Sequence, residues 1–498
     1  MRVPRMLLVL VLLSAVLGSA PGQEKDPSLS VNVSGLYNAW GLWQRDFLLG
    51  RVDYRDQYLV QMLRLNLAFA YGENIKAVTR FDLGQGWWGV DNQQPTYTAG
   101  SASALFDNKE TNFFLHADQV YLWFRVPSWS TSFNVGRFQW MTGNRLVLDN
   151  NYDGVSGTID IGSSSLSLGW AKISENVDGL SDLPSTSPDQ RGHADGRDAD
   201  LLFAAYKAAL GGTSLEFYGM YYNDGSINDS TAHLIDGIFY NRPRFTAQVT
   251  SLTVLGISGI TTLEKLVLRY EANYLSGKDD IPNTSHAGRF LNTNPLVPDP
   301  LKYDINNGSV MGYNILLRAD FAVSEPLTLG LVAGLGSGDS DPTSGKGNVN
   351  KLRTAGFFYM TEVWEDSIMP DEEGITPQGL GAPNVRAYRE LENTTAFQLN
   401  GTWRLMPGWS IFASATYLRA TQPVFAWTSA GPDLSRSAKD LGTEFDLKTD
   451  YKIYSNLTLT LRTGVFIPGT AASYLINGTD RWKQSAYEVK TEITYAFK

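Results

Sequence analysis

The 498-residue chain contains no cysteine. That excludes disulfide scaffolds, zinc–thiolate centres and thiol nucleophiles. Charge is scarce, at 18% of residues, and the 41 basic side chains are outnumbered by 51 acidic ones, for a net charge of −10. A broad nucleic-acid surface is therefore excluded. After the first residues no run of 18 apolar positions occurs, so the sequence predicts no internal membrane helix. What is abundant is glycine, at 47 positions, and aromatic residues, at 12%. So many aromatics with so little charge argue against disorder, and nothing reads as soluble domains joined by linkers.

Arg2 and Arg5 precede an apolar run from Met6 to Leu13, extended by Ala15 to Leu17, and small residues follow at 18–22. This order predicts a signal peptide over residues 1–22, cleaved after Ala20-Pro21-Gly22, leaving one mature unit over 23–498. The apolar stretch is shorter than the roughly 20 residues of a spanning helix. Losing two arginines takes the net charge to −10 − 2 = −12. An exported chain without cysteine suits the bacterial envelope.

Beyond residue 28 the chain alternates. Leu29, Val31, Val33, Gly35, Tyr37, Ala39 and Trp43 occupy odd positions, with Ser30, Asn32, Ser34 and Asn38 between them. Leu63, Leu65, Leu67, Phe69 and Tyr71 oppose Arg64, Asn66 and Ala68. Near the end Tyr487, Val489, Thr491, Ile493, Tyr495 and Phe497 oppose Glu488, Lys490 and Glu492. A period of two with one apolar face predicts strands. The segments run about 10–14 residues, longer than the ~5–6 of soluble sheets and sufficient for the ~9–11 of a tilted membrane strand. Trp40, Trp43, Trp123, Trp129, Trp403, Trp409, Tyr451 and Tyr454 fall at segment ends, where interfacial girdles lie.

Candidate strands begin near residues 28, 56, 74, 114, 130, 152, 165, 199, 213, 244, 263, 309, 326, 393, 409, 441, 456 and 485. Tight turns such as Gly72-Glu73-Asn74, Gly211-Gly212, Met406-Pro407-Gly408 and Ser455-Asn456 join each even strand to the next. Long polar segments join each odd strand to the next, the longest over 338–392. One tight rim, one long-looped rim and an even count predict an all-β fold, a transmembrane antiparallel up-and-down β-barrel of about 18 strands. Its short turns are periplasmic and its long loops extracellular.

Charged positions in such strands must face the lumen, because a charge aimed at lipid costs about 2–4 kcal/mol near the midplane. The pore-lining candidates are Arg64, Lys76, Arg80, Asp82, Arg125, Arg269, Glu271, Arg318, Asp320, Arg404, Glu444, Asp446 and Arg462, with Glu216, Lys448, Asp450, Lys452, Glu488 and Glu492 beside them. Barrels of about 16–18 strands leave an aqueous channel. Basic residues dominate the first five strands and acids those near 441–454 and 485–497, which predicts a basic wall facing an acidic one. The 338–392 loop is expected to fold inward as a constriction or outward as a lid. Its Asp339 and Asp341, two apart in a Gly-rich turn, form a calcium candidate, and no other cofactor is implied. His116 with Asp118 could imitate a rim hydrolase, but no nucleophile elbow or HExxH accompanies them, so no enzyme is predicted.

Asp440-Leu-Gly-Thr-Glu-Phe-Asp-Leu447 with Tyr451, Asn456-Leu457 and Phe466-Ile-Pro468-Gly469 resembles the closing strands of the alginate-export family of outer-membrane channels. Val135-Gly136-Arg137 with Asp153-Gly154-Val155 resembles that family's mid-chain strand pair, and Ser337 to Pro342 its long loop. The resemblance implies an eighteen-stranded monomeric barrel, a loop-occluded lumen and passage of an anionic polysaccharide or smaller solute, with Arg64, Arg80 and Arg318 as conducting arginines.

The expected function is a porin-like channel for passive passage of polar or anionic solutes, oligo- and polysaccharides among them, in the bacterial outer membrane. Its partners are outer-membrane lipid or lipopolysaccharide and a small solute, with the barrel a monomer or trimer. The alternative is a barrel sheath around a partner protein such as a periplasmic electron carrier.

Overall fold

The computed structural model describes residues 28–88, 115–176, 198–224, 233–235, 240–242, 250–279, 308–340, 358–365, 391–428 and 431–498. The expected signal peptide lies outside them. Its strands are β1 (Leu29–Arg45), β2 (Arg55–Tyr71), β3 (Ile75–Trp87), β4 (Leu115–Val126), β5 (Thr131–Met141), β6 (Asp149–Ile161), β7 (Ser164–Asn176), β8 (Ala199–Leu210), β9 (Thr213–Asp224), β10 (His233–Ile235), β11 (Tyr240–Arg242), β12 (Ser251–Leu263), β13 (Leu266–Asp279), β14 (Gly308–Ala322), β15 (Leu327–Gly336), β16 (Thr394–Met406), β17 (Trp409–Thr428), β18 (Gly431–Tyr454), β19 (Leu457–Pro468) and β20 (Ala486–Phe497). One helix, α1 (Thr470–Asn477), lies between β19 and β20.

All strands except the short hairpin β10–β11 form one closed antiparallel barrel of 18 strands. Closure is made by β20 on β1, from Gly35↔Phe497 to Arg45↔Tyr487. In hydrocarbon every backbone N–H and C=O needs a partner, and a closed ladder supplies one without an edge. The outward face follows from the pairs. Leu59, Phe69, Leu122, Val135, Leu331, Leu399, Phe445 and Leu447 are exposed and apolar, as a lipid-facing surface requires. Trp403, Trp409, Tyr451 and Tyr495 stand near the tight-turn rim, and Trp43, Tyr313, Tyr417 and Tyr487 near the other. Tyr487 and Tyr495 on β20 are separated by about 26 Å along the strand at ~3.3 Å per residue, or about 20 Å of height at a ~40° tilt.

Two girdle assignments are corrected. Trp40 pairs with Val60 and Glu492, and Trp123 with Lys76, so alternation turns both rings inward. The Lys76 ammonium sits 4.6 Å from the Trp123 ring centre. The β17–β18 connection also differs from expectation. β18 begins at Gly431 rather than near 441, and only residues 429–430 separate strands of 20 and 24 residues. Residues 433–440 are mostly polar on both faces, so they carry no alternation signal. β12 begins at Ser251 rather than near 244.

Inward side chains form apolar clusters. One joins Phe138, Trp140, Tyr152, Ala171, Tyr218, Met220, Leu252 and Leu275. Trp140 occupies space left by inward-facing glycines: a Cβ at Gly169 would stand 2.6 Å from its Cζ3. Gly169→Val is expected to destabilise the barrel by about 1–3 kcal/mol through overpacking. A lowered urea midpoint for the heat-modifiable band on gels would record it, and an unchanged midpoint would contradict this packing.

Candidate functional site: the lumen and its inserted segments

Residues 142–148, between β5 and β6, enter the lumen instead of extending outward. A turn closed by Arg145 N–H donating to Thr142 O (2.8 Å) gives the segment its bend. Gly143 donates its N–H to Glu216 on β9 (3.3 Å), and Asn144 donates its backbone N–H to Glu271 on β13. The approach leaves no room for a side chain at 143, where φ is +44° and a Cβ would lie 2.3 Å from Glu271 Oε2. Glu271 also accepts from Tyr218 (2.9 Å) and Asn273 (2.8 Å). Leu146 then packs with Leu316, Val332 and Leu391, so the segment reaches from β5–β6 across to β14–β15.

Residues 358–365 are the described part of the long loop, with 338–340 and 391–392, and they too fold inward. Val363 and Trp364 donate their backbone N–H groups to the two oxygens of Glu444, at 2.6 and 2.8 Å. Trp364 is fully buried and stacks on Phe466 at 4.7 Å. Gln398 donates to Met360 O (2.7 Å), and Arg462 lies 3.2 Å from Glu362. Phe358 and Met360 meet the Leu146 cluster, so the two segments touch inside the barrel.

At the long-loop mouth Phe47, Leu48 and Leu49 turn inward against α1, with Asn477 donating to Leu48 O (3.1 Å). Burial, then the charges of Asp56 and Glu488, push the Tyr54 hydroxyl up, so it stays neutral while stacked on Phe47 at 5.7 Å.

The charged candidates share the inward parity of their strands. Arg64 makes two 2.7 Å hydrogen bonds to buried Asp82. It also lies 3.4 Å from Asp118, which pairs with Arg80 and accepts from Asn151 (2.6 Å). Arg269 and Arg318 converge on Asp320 at 2.6 and 2.9 Å. Arg125 pairs with Asp160 (3.2 Å), Lys448 with Asp450 (3.2 Å), and Ser414 donates to Asp446 (3.0 Å). Exposed Arg404 and Lys452 have no ion-pair partner among the described residues.

The expected basic wall facing an acidic one is not what forms. Arg64 and Arg80 are neutralised on their own wall, and Glu444 is occupied by loop amides. Toward the tight-turn rim Arg125 and Lys207 are likewise paired, with Asp160 and Glu216, which leaves Arg404, Lys452 and the ring-stacked Lys76 as the cations without an ion-pair partner there among the described residues. Sequence reading missed Lys207 and the structural role of Asp118, and it did not count Lys490 or the loop residue Glu362 among the lumen charges. A bulge between Arg80 and Phe81 brings Asp118 to Arg80, which alternation cannot foresee. Lys207 opposite Glu216 could have been found by pairing adjacent strands. Glu362 sits in a loop with no periodicity. Asp341 of the calcium candidate lies outside the described residues, and no cluster of three metal-ligating groups occurs among the described residues, Asp339 included.

No protein-family model and no curated protein matches the sequence. Among solved structures the chain is similar to OccK8 (OprE) of Pseudomonas aeruginosa, at 13% identity and a TM-score of 0.49 over 94% of this chain and 98% of that one. It is also similar to the outer membrane protein opdK of the same organism, at 10% identity and 0.49 over 94% and 98%. A third is P. aeruginosa OccK2 (OpdF), solved in complex with glucuronate, at 10% identity and 0.48 over 95% and 99%.

Proposed function

We propose that this chain is a bacterial outer-membrane channel through which small polar and anionic solutes diffuse passively. The observation that carries the reading is a constricted lumen with exposed cations at its tight-turn end, of which Arg404 and Lys452 have no ion-pair partner among the described residues. Two inserted segments narrow an 18-stranded barrel, and exposed cations line the space on its tight-turn side. A barrel of this width encloses water unless something fills it, and clustered positive charge raises the local concentration of anions.

The finer reading, passage of an anionic polysaccharide, is what the alginate-export resemblance implies. Of its three arginines, Arg64 and Arg80 are tied to Asp82 and Asp118, while Arg318 is half-exposed beside Asp320. That distribution favours a small anion over a polymer needing a continuous run of free cations. The sheath reading has less support, because the chain's own segments occupy lumen space that a protein partner would need. A hydrolytic rim has no support from Asp118, which is engaged by Arg80 and Asn151.

Single-channel recording in a planar bilayer under a salt gradient tests the proposal. The refolded protein is expected to give discrete steps and an anion-selective reversal potential. In the Arg404→Glu/Lys452→Glu variant the anion preference is expected to fall at least two-fold. Cation selectivity of the wild type would overturn the anionic reading, and absence of steps from verified barrels would overturn the channel.

A further inference from the structure

The outward face of β5–β8 breaks the rule that the rest of the barrel keeps. Val120 is exposed on the lipid side and pairs with Arg137, which pairs with Asp153, then Lys172, then Asp200. All four therefore point away from the lumen. Arg137 Nη1 lies 3.6 Å from Asp153 Oδ2, and Lys172 Nζ lies 3.0 Å from Asp198 Oδ2. The Asp153 side chain is 68% exposed.

Their depth is what matters. Arg137 stands six residues above the start of β5, and Asp153 eight above the end of β6. At ~3.3 Å per residue and a ~40° tilt these are about 15 and 20 Å above the tight-turn rim, well inside an apolar band about 25 Å tall. Between those two heights, seven residues above their own turns, β14 presents Ile315, β16 Leu399 and β18 Leu447, all exposed and apolar. One side of the barrel suits hydrocarbon; the other carries charges of both signs in the upper half of the band.

Lipid tails cannot solvate such a row, and headgroup phosphates lie above it. A water-soluble protein cannot reach it. A second barrel of the same kind spans the same depth and brings the same charges, positive at 137 and 172 and negative at the exposed 153, with Asp198 and Asp200 buried behind them. Ionisable residues at membrane depth pair with one another and face protein or water rather than lipid, and complementary charge fixes the register between docked partners. We propose that the outward face of β5–β8 is where a second copy of this chain docks, so that the protein assembles through Arg137, Asp153 and Lys172. This departs from the monomer that the family resemblance implies.

The absence of cysteine makes the test clean. The full chain is expressed in outer membranes as Leu168→Cys, exposed on the same face of β7 but outside the charge row, or, on the opposite face, Leu399→Cys, and treated with a bis-maleimide. Leu168→Cys is expected to give a covalent band at twice the chain mass, at least ten-fold stronger than Leu399→Cys. Native mass spectrometry of the wild type in mild detergent is expected to show the mass of two or more chains. The Asp153→Arg variant should give single chains that keep heat-modifiable mobility. Single-chain mass for the wild type with equal, weak cross-linking of both variants would overturn the proposal. So would a covalent product whose partner is a different protein.

Discussion

Glu444→Ala is expected to convert a low, steady single-channel current into one that flickers to a level several-fold higher. Glu444 is fully buried and holds residues 358–365 against the wall through two backbone N–H groups at 2.6 and 2.8 Å. Removing the carboxylate leaves both donors without an acceptor inside the protein. Each such loss costs about 1–2 kcal/mol at the low end for buried groups, so the docked segment loses roughly 2–4 kcal/mol. That corresponds to a change of roughly 30- to 700-fold in the ratio of docked to undocked states. Glu444→Gln retains one acceptor oxygen and should fall between. Trp364→Ala should act in the same direction, because it removes the ring stacked on Phe466. If Glu444→Ala conducts as the wild type does, the segment does not control the narrowest part of the lumen.

The second large effect concerns stability. Arg64 is the bidentate partner of Asp82, whose side chain has no exposure. Arg64→Ala strands a buried carboxylate, and breaking such a pair from one side costs about 3–5 kcal/mol. The paired replacement Arg64→Leu with Asp82→Leu removes both charges and should recover most of that loss, because desolvating two ions offsets much of their attraction. Urea midpoints of the heat-modifiable band would separate these cases. A single variant within about 1 kcal/mol of wild type would mean that water, not Arg64, satisfies Asp82.

Much of the barrel is visible in the sequence because the bilayer imposes a period of two. β1, β8, β9 and β20 begin within a residue or so of where alternation starts, since lipid demands apolar side chains at every second position. The reading fails where that demand stops. Above the membrane β18 continues through Asp433, Ser435 and Lys439, which no lipid constrains. Inside the barrel, residues 142–148 and 358–365 are placed by amide-to-carboxylate bonds that leave no periodic trace. The charge map failed for a related reason. The faces of Arg64 and Asp82 were legible, but their mutual neutralisation depends on cross-strand pairing, Arg64↔Asp82, which only the register reveals. Arg137 and Asp153 show the reverse failure. The rule that charges face inward presumes lipid all round the barrel.

The seam between β1 and β20 sets how this molecule must be made. Gln44 donates to Glu488 at 2.7 Å, across 444 residues of chain. No other strand pair of the wall is so distant in sequence, and none can substitute for it, since each remaining strand already has both neighbours. Until β20 is synthesised, β1 therefore waits with a bare, half-apolar edge, and every partly assembled sheet has two such edges. Contacts of such separation form slowly, because loop-closure entropy precedes any gain from pairing. Escape from aggregation then depends on the cell keeping the nascent chain unfolded in transit and guiding its two ends together at the membrane.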